Sequence, residues 1–181
     1  MVKFLKDHPM TGGILPRLGT ANLVQVTAGR NIIPTFNFQR GHHEDTVNLA
    51  GEEMEARHLE KQSGCMACPI RCGREVKHEG KVIMGPEFET IGLVGINLGI
   101  FNYPVVFTLS AMCDDLGMDS ISAGGCLGLA AELNQRGMWK NGLDWGNTAQ
   151  FADLLNKVAH RDGIGDEIAE GTKRMAEKHG G

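Results

Sequence analysis

After residue 45, apolar residues recur along the chain at mostly helical spacing, between clear helix start and stop signals. Asp45 is a plausible N-cap for a helix over residues 45–63, with Gly64 following as its stop. Ser120 is expected to cap a later helix. Pro, Ser, Asn or Asp near the start marks further helices over residues 86–98, 104–117, 120–136, 147–160 and 166–178, and Gly117 and Gly137 are the stops of the second and third of these. The pattern therefore predicts a mainly α, multihelical fold with irregular loops.

The first 45 residues lack this order. Proline and glycine interrupt them at short intervals, and the short apolar runs between residues 19 and 38 predict a partly extended segment. We therefore expect residues 1–45 to form a connecting, extended segment and residues 46–181 to form an incomplete helical domain. Strand signals after residue 45 are limited to a short turn or hairpin over residues 77–83.

Composition and charge narrow the class of protein. With 41% hydrophobic and 22% charged residues, the 181-residue chain has a globular composition, and its net charge of −4 does not favour nucleic-acid binding. Glycine supplies 25 of the 181 residues, about twice its usual share of ~7%. So many glycines suggest close backbone approaches around a bulky group. No apolar run or leader pattern predicts a membrane helix or signal peptide, and five cysteines do not suggest a disulfide framework. A cytoplasmic protein is expected.

The strongest chemical signal is the run C-x2-C-x3-C formed by Cys65, Cys68 and Cys72. Thiolates at this spacing can point inward from one loop and supply three of the four ligands that an iron–sulfur cluster takes. Structural zinc is the first alternative, with His58 or His78 completing the site, and thiols with no ligand are the second. The other two cysteines, Cys113 and Cys126, lie in apolar or small-residue helical contexts and are expected to be small buried side chains.

Two acidic motifs follow the cysteine run. The D-x-x-G-x-D run brings Asp114 and Asp119 close together if Gly117 makes a left-handed turn. Two such carboxylates can accept N–H bonds from a guanidine-like edge, as in a pterin or guanine, or bind a metal. The simpler interpretation is that Asp119 only opens the next helix while Asp114 is solvated. Glu87 and Glu89 begin the helix after Gly85-Pro86, either as exposed helix-start carboxylates or with one buried as a proton carrier.

These motifs occur together and in order, and the chain resembles the tungsten-containing aldehyde ferredoxin oxidoreductase family. The resemblance covers nearly the whole chain. It rests on Gly19-Thr20, Ile33-Pro-Thr-Phe-Asn-Phe38, the cysteine run with Gly73, Gly85-Pro-Glu-Phe-Glu-Thr90, the run from Cys113 through Asp119 to Gly124, and Gly163 to Gly171.

The resemblance implies a bis-pterin cofactor with tungsten or molybdenum, held against an N-terminal β domain and covered by helical domains. A [4Fe-4S] cluster would relay electrons to ferredoxin, with Cys65, Cys68 and Cys72 as three of its ligands. By the same match, Asp114 and Asp119 would hydrogen-bond one pterin. Either Glu89 or Glu87, with Glu89 favoured, would move a proton near the metal as an aldehyde is oxidised to a carboxylate.

The departures from the family pattern are equally specific. The later motif that supplies the fourth cluster cysteine, a metal-proximal histidine and the N-terminal β domain have no match here. The chain therefore resembles a central fragment that needs the rest of the enzyme as its partner and is inactive alone. A homodimer is possible within the family, although the iron site that bridges some family dimers is not recognisable. Another redox reaction on the same scaffold, such as aryl-CoA reduction, and a non-catalytic iron–sulfur or zinc subunit are the alternatives.

Overall fold

A computed structural model describes residues 1–180 and shows a mainly helical molecule with one small sheet. The α-helices are α1 (Val2–Asp7), α2 (Leu15–Leu18), α3 (Leu23–Ala28), α4 (Gly51–Arg57), α5 (Phe88–Thr90), α6 (Tyr103–Asp115), α7 (Ser120–Gln135), α8 (Thr148–His160), α9 (Ile164–Ile168) and α10 (Thr172–His179). The antiparallel sheet has the order β1 (Leu59–Ser63), β2 (Gly73–His78) and β3 (Lys81–Met84). The predicted mainly α class is confirmed.

The N-terminal segment differs from the expectation of a partly extended chain. Its first 28 residues are mostly helical, with a π-helical stretch at Pro9–Ile14 and a 3-10 turn at Thr20–Asn22 between the α-helices. This segment is helical because apolar residues recur in it at helical spacing. Leu18, Ala21 and Val24 follow one another every three residues, and all three are buried. Extended backbone is limited to short stretches, including one isolated bridge between Thr35 and Arg40.

The helix expected over residues 45–63 is also wrong in its second half. A 3-10 turn at Glu44–Leu49 and α4 occupy the first part, but Leu59–Ser63 forms strand β1 and pairs with β2. Pairing with a strand distant in sequence overrides the weak helical spacing there. The predicted hairpin is confirmed, since β2 and β3 are joined at Glu79 and Gly80, which have φ values of 49° and 76°. Two consecutive positive φ values are typical of a tight two-residue hairpin turn.

The predicted helices after residue 85 are found close to their expected bounds. Residues 88–98 form a continuous helical stretch, with α5 followed by a π-helical Ile91–Gly95 and a 3-10 Ile96–Leu98. Asp119, not Ser120, caps α7, because its carboxylate accepts a hydrogen bond from the Ser122 N–H at 2.7 Å. The last predicted helix is divided into α9 and α10 because Gly171, at φ 92°, turns the chain between them.

One apolar core joins these elements. It contains Val24 and Ile33 from the first 45 residues together with Val94, Phe107 and Phe151 from the helical part. No single described helix is long and apolar enough to cross a membrane; the segments Phe88–Leu98 and Tyr103–Asp115 would qualify only as a pair, and they are bent by 113°. The fold therefore buries its apolar helices against one another. Strand β2 contributes Val76 to the core, whereas β1 and the loop that joins it to β2 lie mostly at the surface.

Candidate functional site

The three cysteines of the C-x2-C-x3-C run lie on one surface loop, residues 64–72, which we call the cysteine loop. Strands β1 and β2 hold its two ends together, since Ser63 pairs with Gly73. Within the loop, the Cys68 N–H donates to the Cys65 carbonyl at 3.1 Å and makes a tight turn. All three thiols are free, with Cys65 exposed and the other two half-buried. The sheet therefore presents three thiols from one short, anchored segment.

The backbone of the cysteine loop adopts unusual conformations. Ala67 and Arg71 have φ values of 59° and 54°, in the left-handed region that residues with a side chain seldom occupy. Gly64, the first residue of the loop, lies so close to its other end that a Cβ at Gly64 would lie 2.8 Å from the Cα of Arg71. Such strain is concentrated at functional sites because it aims particular groups.

Burial raises the pKa of the Cys72 thiol, and the nearby Glu87 carboxylate, Cys68 and Cys65 raise it further. These mutual effects show that the three cysteines and Glu87 share one neighbourhood. In the protein alone the neutral thiol is favoured, so a metal that binds the Cys72 thiolate must displace its proton.

Arg74 packs against the C-terminal end of the cysteine loop and is 4% exposed. Its guanidinium donates to the carbonyls of Gly73 (2.6 Å) and Leu15, which ties the loop to α2. Burial lowers the pKa of Arg74, and the Glu87 and Cys72 groups oppose that effect. Sequence reasoning missed this residue, although its position could have been found. Arg74 and Val76 alternate on the inward face of β2.

The glutamate motif packs beside the cysteine loop. The Gly85 N–H donates to the Arg74 carbonyl at 2.7 Å, and the Thr20 hydroxyl donates to the Glu87 carboxylate. The same hydroxyl accepts from the Phe88 N–H at 2.9 Å. Glu87 and Glu89 are both exposed. The alternative in which one of the two carboxylates is buried is therefore wrong for this structure. Among the described residues only Glu87 of the two has a side-chain hydrogen bond, which leaves the Glu89 carboxylate uncommitted.

The aspartate motif has the expected turn. Gly117 has a φ of 67°, and the Met118 N–H donates to the Cys113 carbonyl at 2.8 Å, which closes α6. Asp114 and Asp119 are both exposed, and the Ser122 hydrogen bonds lower the pKa of Asp119. Burial raises the pKa of Cys113 to about 11, with both aspartates adding to the effect. The two carboxylates therefore flank one buried thiol, and one of them caps α7.

The structure joins the two acidic motifs to each other. The hydroxyls of Thr90 and Ser120 lie 2.8 Å apart, so the glutamate turn contacts the start of α7 next to Asp119. Across the described residues 1–180, no three His, Cys, Asp or Glu side chains converge closely enough to hold a metal ion. His58 and His78, the zinc alternatives, both pack edge-on against the Phe107 ring.

The residues present fit an iron–sulfur group in their chemistry, although they do not complete its site. Three free thiols on one anchored loop are the donors that such a cluster takes. The buried Arg74 Nε, which has no partner among residues 1–180, shows that the polar groups below the loop are not fully satisfied within this chain.

Comparison with known proteins gives a consistent result. The sequence model described as "Aldehyde ferredoxin oxidoreductase, domains 2 & 3" matches residues 1–181. The tungsten-containing aldehyde ferredoxin oxidoreductase of Pyrococcus furiosus is 39% identical over 99% of this chain, which covers 31% of that protein. The enzyme of the same name from Thermococcus kodakarensis is 39% identical over 97% of the chain and 30% of that protein.

Two further proteins that resemble this chain carry names other than aldehyde ferredoxin oxidoreductase. The aliphatic sulfonate oxidoreductase, WOR-like subunit, of Pyrococcus furiosus is 35% identical over 82% of this chain and 26% of that protein. Among solved structures, the active site complex BamBC of benzoyl coenzyme A reductase superposes with a TM-score of 0.73 at 23% identity, over 98% of this chain and 29% of that chain. The present chain spans about a third of the length of the relatives that it matches. It belongs to the aldehyde ferredoxin oxidoreductase family.

Proposed function

We propose that this chain is part of a tungsten- or molybdenum-pterin oxidoreductase that oxidises an aldehyde to a carboxylate. The observation that carries the proposal is the match of the whole chain to the family, together with a cysteine loop whose three free thiols lie on one anchored segment. In this proposal Cys65, Cys68 and Cys72 are three ligands of a [4Fe-4S] cluster. The fourth comes from the remainder of the enzyme.

When bound, the metal–pterin group supplies two-electron chemistry and the cluster carries electrons one at a time. Glu89 accepts and releases a proton at its carboxylate during aldehyde oxidation. This carboxylate has no side-chain hydrogen bond among the described residues, so it is available for that role. Thr20 holds Glu87 and the Phe88 N–H, and so fixes the turn from which Glu89 projects. Asp114 and Asp119 accept hydrogen bonds from the pterin.

The partners follow from the same proposal. Ferredoxin receives the electrons, and the rest of the enzyme, including an N-terminal β domain, covers the exposed side of the cysteine loop. A homodimer and a cytoplasmic location are further proposals. Alternatively, the same scaffold serves another redox reaction. Aryl-CoA reduction is suggested by the benzoyl coenzyme A reductase likeness, although that likeness shows the fold alone. A non-catalytic iron–sulfur or zinc subunit is the third possibility.

The test is aldehyde-dependent reduction of ferredoxin by the complete natural protein, purified without oxygen from cells supplied with tungstate or molybdate. We expect activity in the wild type and a loss of about 10²–10⁴-fold in Glu89→Gln, as for a removed general acid–base group. Glu79→Gln is the matched control, since Glu79 is an exposed glutamate (77%) in the β2–β3 turn and should leave the activity unchanged.

Parallel assays with an aryl-CoA ester and an aliphatic sulfonate separate the alternatives. Reduction of the CoA ester with no turnover of any aldehyde would replace the proposed reaction by the second one. Wild-type activity in Glu89→Gln would remove the proton-transfer role of that residue. Aldehyde oxidation by the 181-residue chain alone would contradict the expectation that it needs the rest of the enzyme.

A further inference from the structure

Arg74 is a buried cation that has no carboxylate in contact with it among the described residues. The side chain follows the last cysteine of the loop by two residues, is 4% exposed, and forms no ion pair among residues 1–180, whereas the exposed Arg17 and Lys61 do. Removing a guanidinium from water is costly unless an anion or a full set of hydrogen-bond acceptors compensates it. Among the described residues the Glu87 and Glu55 carboxylates act on the Arg74 charge, but neither forms an ion pair with it. A negative group close to the guanidinium would therefore stabilise it further.

The hydrogen bonds of Arg74 satisfy only part of the guanidinium. Nη1 donates to the carbonyls of Gly73 at 2.6 Å and Arg71 at 3.4 Å, and Nη2 donates to the Leu15 carbonyl. Nε is buried and has no partner in the described chain. Carbonyl dipoles orient the group, but they carry no net charge to balance the cation.

One of these acceptors, Arg71, lies in the cysteine loop, and another, Gly73, directly follows it as the first residue of β2, so the cation and the end of the loop form one unit. Gly19 closes this unit from the other side. A Cβ at Gly19 would lie 2.8 Å from the Cys72 carbonyl oxygen and 3.3 Å from Arg74 Nε, and the residue has a φ of 64°. The backbone of the segment before α3 is thus held directly against the loop and the guanidinium. Arg74 therefore contacts the backbone that directly follows the last cysteine of the loop.

We propose that Arg74 is the counter-cation of the cysteine loop, which balances the negative charge of the three ligated thiolates and their cluster. The inference rests on the proposed function, because it takes the iron–sulfur cluster as the group that the loop holds. One-electron reduction adds one negative charge to the cluster without forming or breaking a bond. A nearby buried positive charge therefore favours the reduced state. Arg74 acts by its charge and contacts no reacting atom, so it is not a catalytic residue.

The test is a redox titration of the cluster in the complete protein, followed by electron paramagnetic resonance. Arg74→Met keeps an unbranched, flexible side chain but removes the guanidinium and its charge. We expect about a tenfold lower equilibrium constant for reduction, which corresponds to a midpoint potential about 59 mV more negative for one electron. Arg74→Lys retains the charge and should stay close to the wild-type potential.

Arg17→Met is the matched control, because it removes the same charge from an exposed position (61%) on α2, the helix whose Leu15 carbonyl accepts from Arg74. Its cluster potential should be unchanged. Iron content and the thermal unfolding midpoint are measured for every variant, so that loss of folding is recognised separately from a change in potential.

The outcomes decide between charge and packing. Arg74→Met with full iron content and an unchanged potential would overturn the inference, and so would an equal shift in Arg17→Met. If Arg74→Met binds no iron, Arg74→Lys decides. Iron at the wild-type potential supports the charge role, and loss of iron in both variants shows that the carbonyl hydrogen bonds alone matter. A wild-type protein without iron fails the proposed function itself, and the inference falls with it.

Discussion

The helical body formed by α6, α7 and α8 differs from the sheet and its cysteine loop in what holds each together. In the body, Phe107, Leu109 and Phe151 are completely buried, and helix periodicity decides which side chains face inward. In the loop, Met66 is 98% exposed, and the shape is set by strand pairing at the two ends and by Arg74 below. The residues that stabilise the fold and the three thiols of the candidate site therefore lie in separate parts of the chain.

The largest effect should come from the body. Phe107 is fully buried and stacks on Tyr103 with ring centroids 5.2 Å apart. Phe107→Ala should lower the free energy of unfolding by about 3–5 kcal/mol, because it removes a buried ring and leaves a cavity. Urea unfolding followed by circular dichroism measures the loss. A loss below 1 kcal/mol would mean that this part of the molecule is not the stabilising one.

A glycine pair on α7 tests how closely the helical body is packed. A Cβ at Gly124 would lie 2.5 Å from the backbone of Leu93, whereas a Cβ at Gly125 would meet nothing within 4 Å. Gly124→Ala should therefore cost about 1–3 kcal/mol through overpacking. Gly125→Ala, the matched control, should be neutral or stabilise by about 1 kcal/mol through helix propensity. Equal effects of the two substitutions would contradict the close packing of α7 on the helical stretch 88–98.

Asp119 lies at the boundary between stability and chemistry, since it caps α7 and is also proposed to bind the pterin. Asp119→Ala should cost about 1 kcal/mol of stability at neutral pH through loss of the cap. Asp119→Asn should keep most of that stability, because asparagine also caps helices. The hydrogen bonds from Ser122 lower the pKa of Asp119, so its ionic contribution is present at neutral pH and is lost as the pH falls through that pKa. An unchanged urea midpoint in Asp119→Ala would exclude the cap.

His58 joins the sheet to the body, as its ring packs edge-on against Tyr103 and Phe107. Burial lowers the pKa of His58; Glu53 opposes this effect, and Arg57 and His78 reinforce it. At neutral pH both the folded and unfolded states hold a neutral ring. Below about pH 6.5 the unfolded state binds the proton first, so stability falls with pH.

The expected loss on acidification from pH 7 to 5 is below about 1 kcal/mol, since the ring is only partly buried. Its measure is the difference in unfolding free energy between the wild type and His58→Gln at each pH, which cancels the other titrating groups. If the two proteins show the same pH dependence, the ring does not titrate with folding.

The smallest stability effect should come from the loop. Cys65 is an exposed thiol outside the core, so Cys65→Ser should change the stability of the metal-free protein by no more than about 0.5 kcal/mol. Thermal unfolding in the presence of a chelator measures this. A larger loss would show that the loop contributes to the fold without any metal and would weaken the contrast with the body.

The sequence predicted the helical body better than the surface around the site. Helices α6, α7 and α8 were found because Pro, Ser or Asn at their starts, and Gly after α6 and α7, are local signals. Strand β1 was taken for helix because its pairing with β2 depends on residues ten or more positions away. The N-terminal helices were missed because their many glycines and prolines obscured the spacing of a few buried residues.

The candidate site was predictable where spacing alone carries the chemistry. The cysteine run and Gly117, with its left-handed turn, could be read directly from the chain. That Asp119 and not Ser120 caps α7 depends on side-chain geometry that neighbouring polar residues leave open. The burial of Arg74 could not be read from its type, since arginine is usually exposed. Its position follows from the inward face of β2 and from contacts with α2.

The central claim is that the cysteine loop holds an iron–sulfur cluster, and metal analysis tests it most directly. Iron, acid-labile sulfide and zinc are measured in the complete protein, purified without oxygen, with Cys68→Ser as the variant and Cys126→Ser as the matched control. We predict about four iron and four sulfide per chain for a [4Fe-4S] group in the wild type and in Cys126→Ser. Cys68→Ser should lose most of both. One zinc without sulfide, or unchanged iron in Cys68→Ser, would contradict the claim.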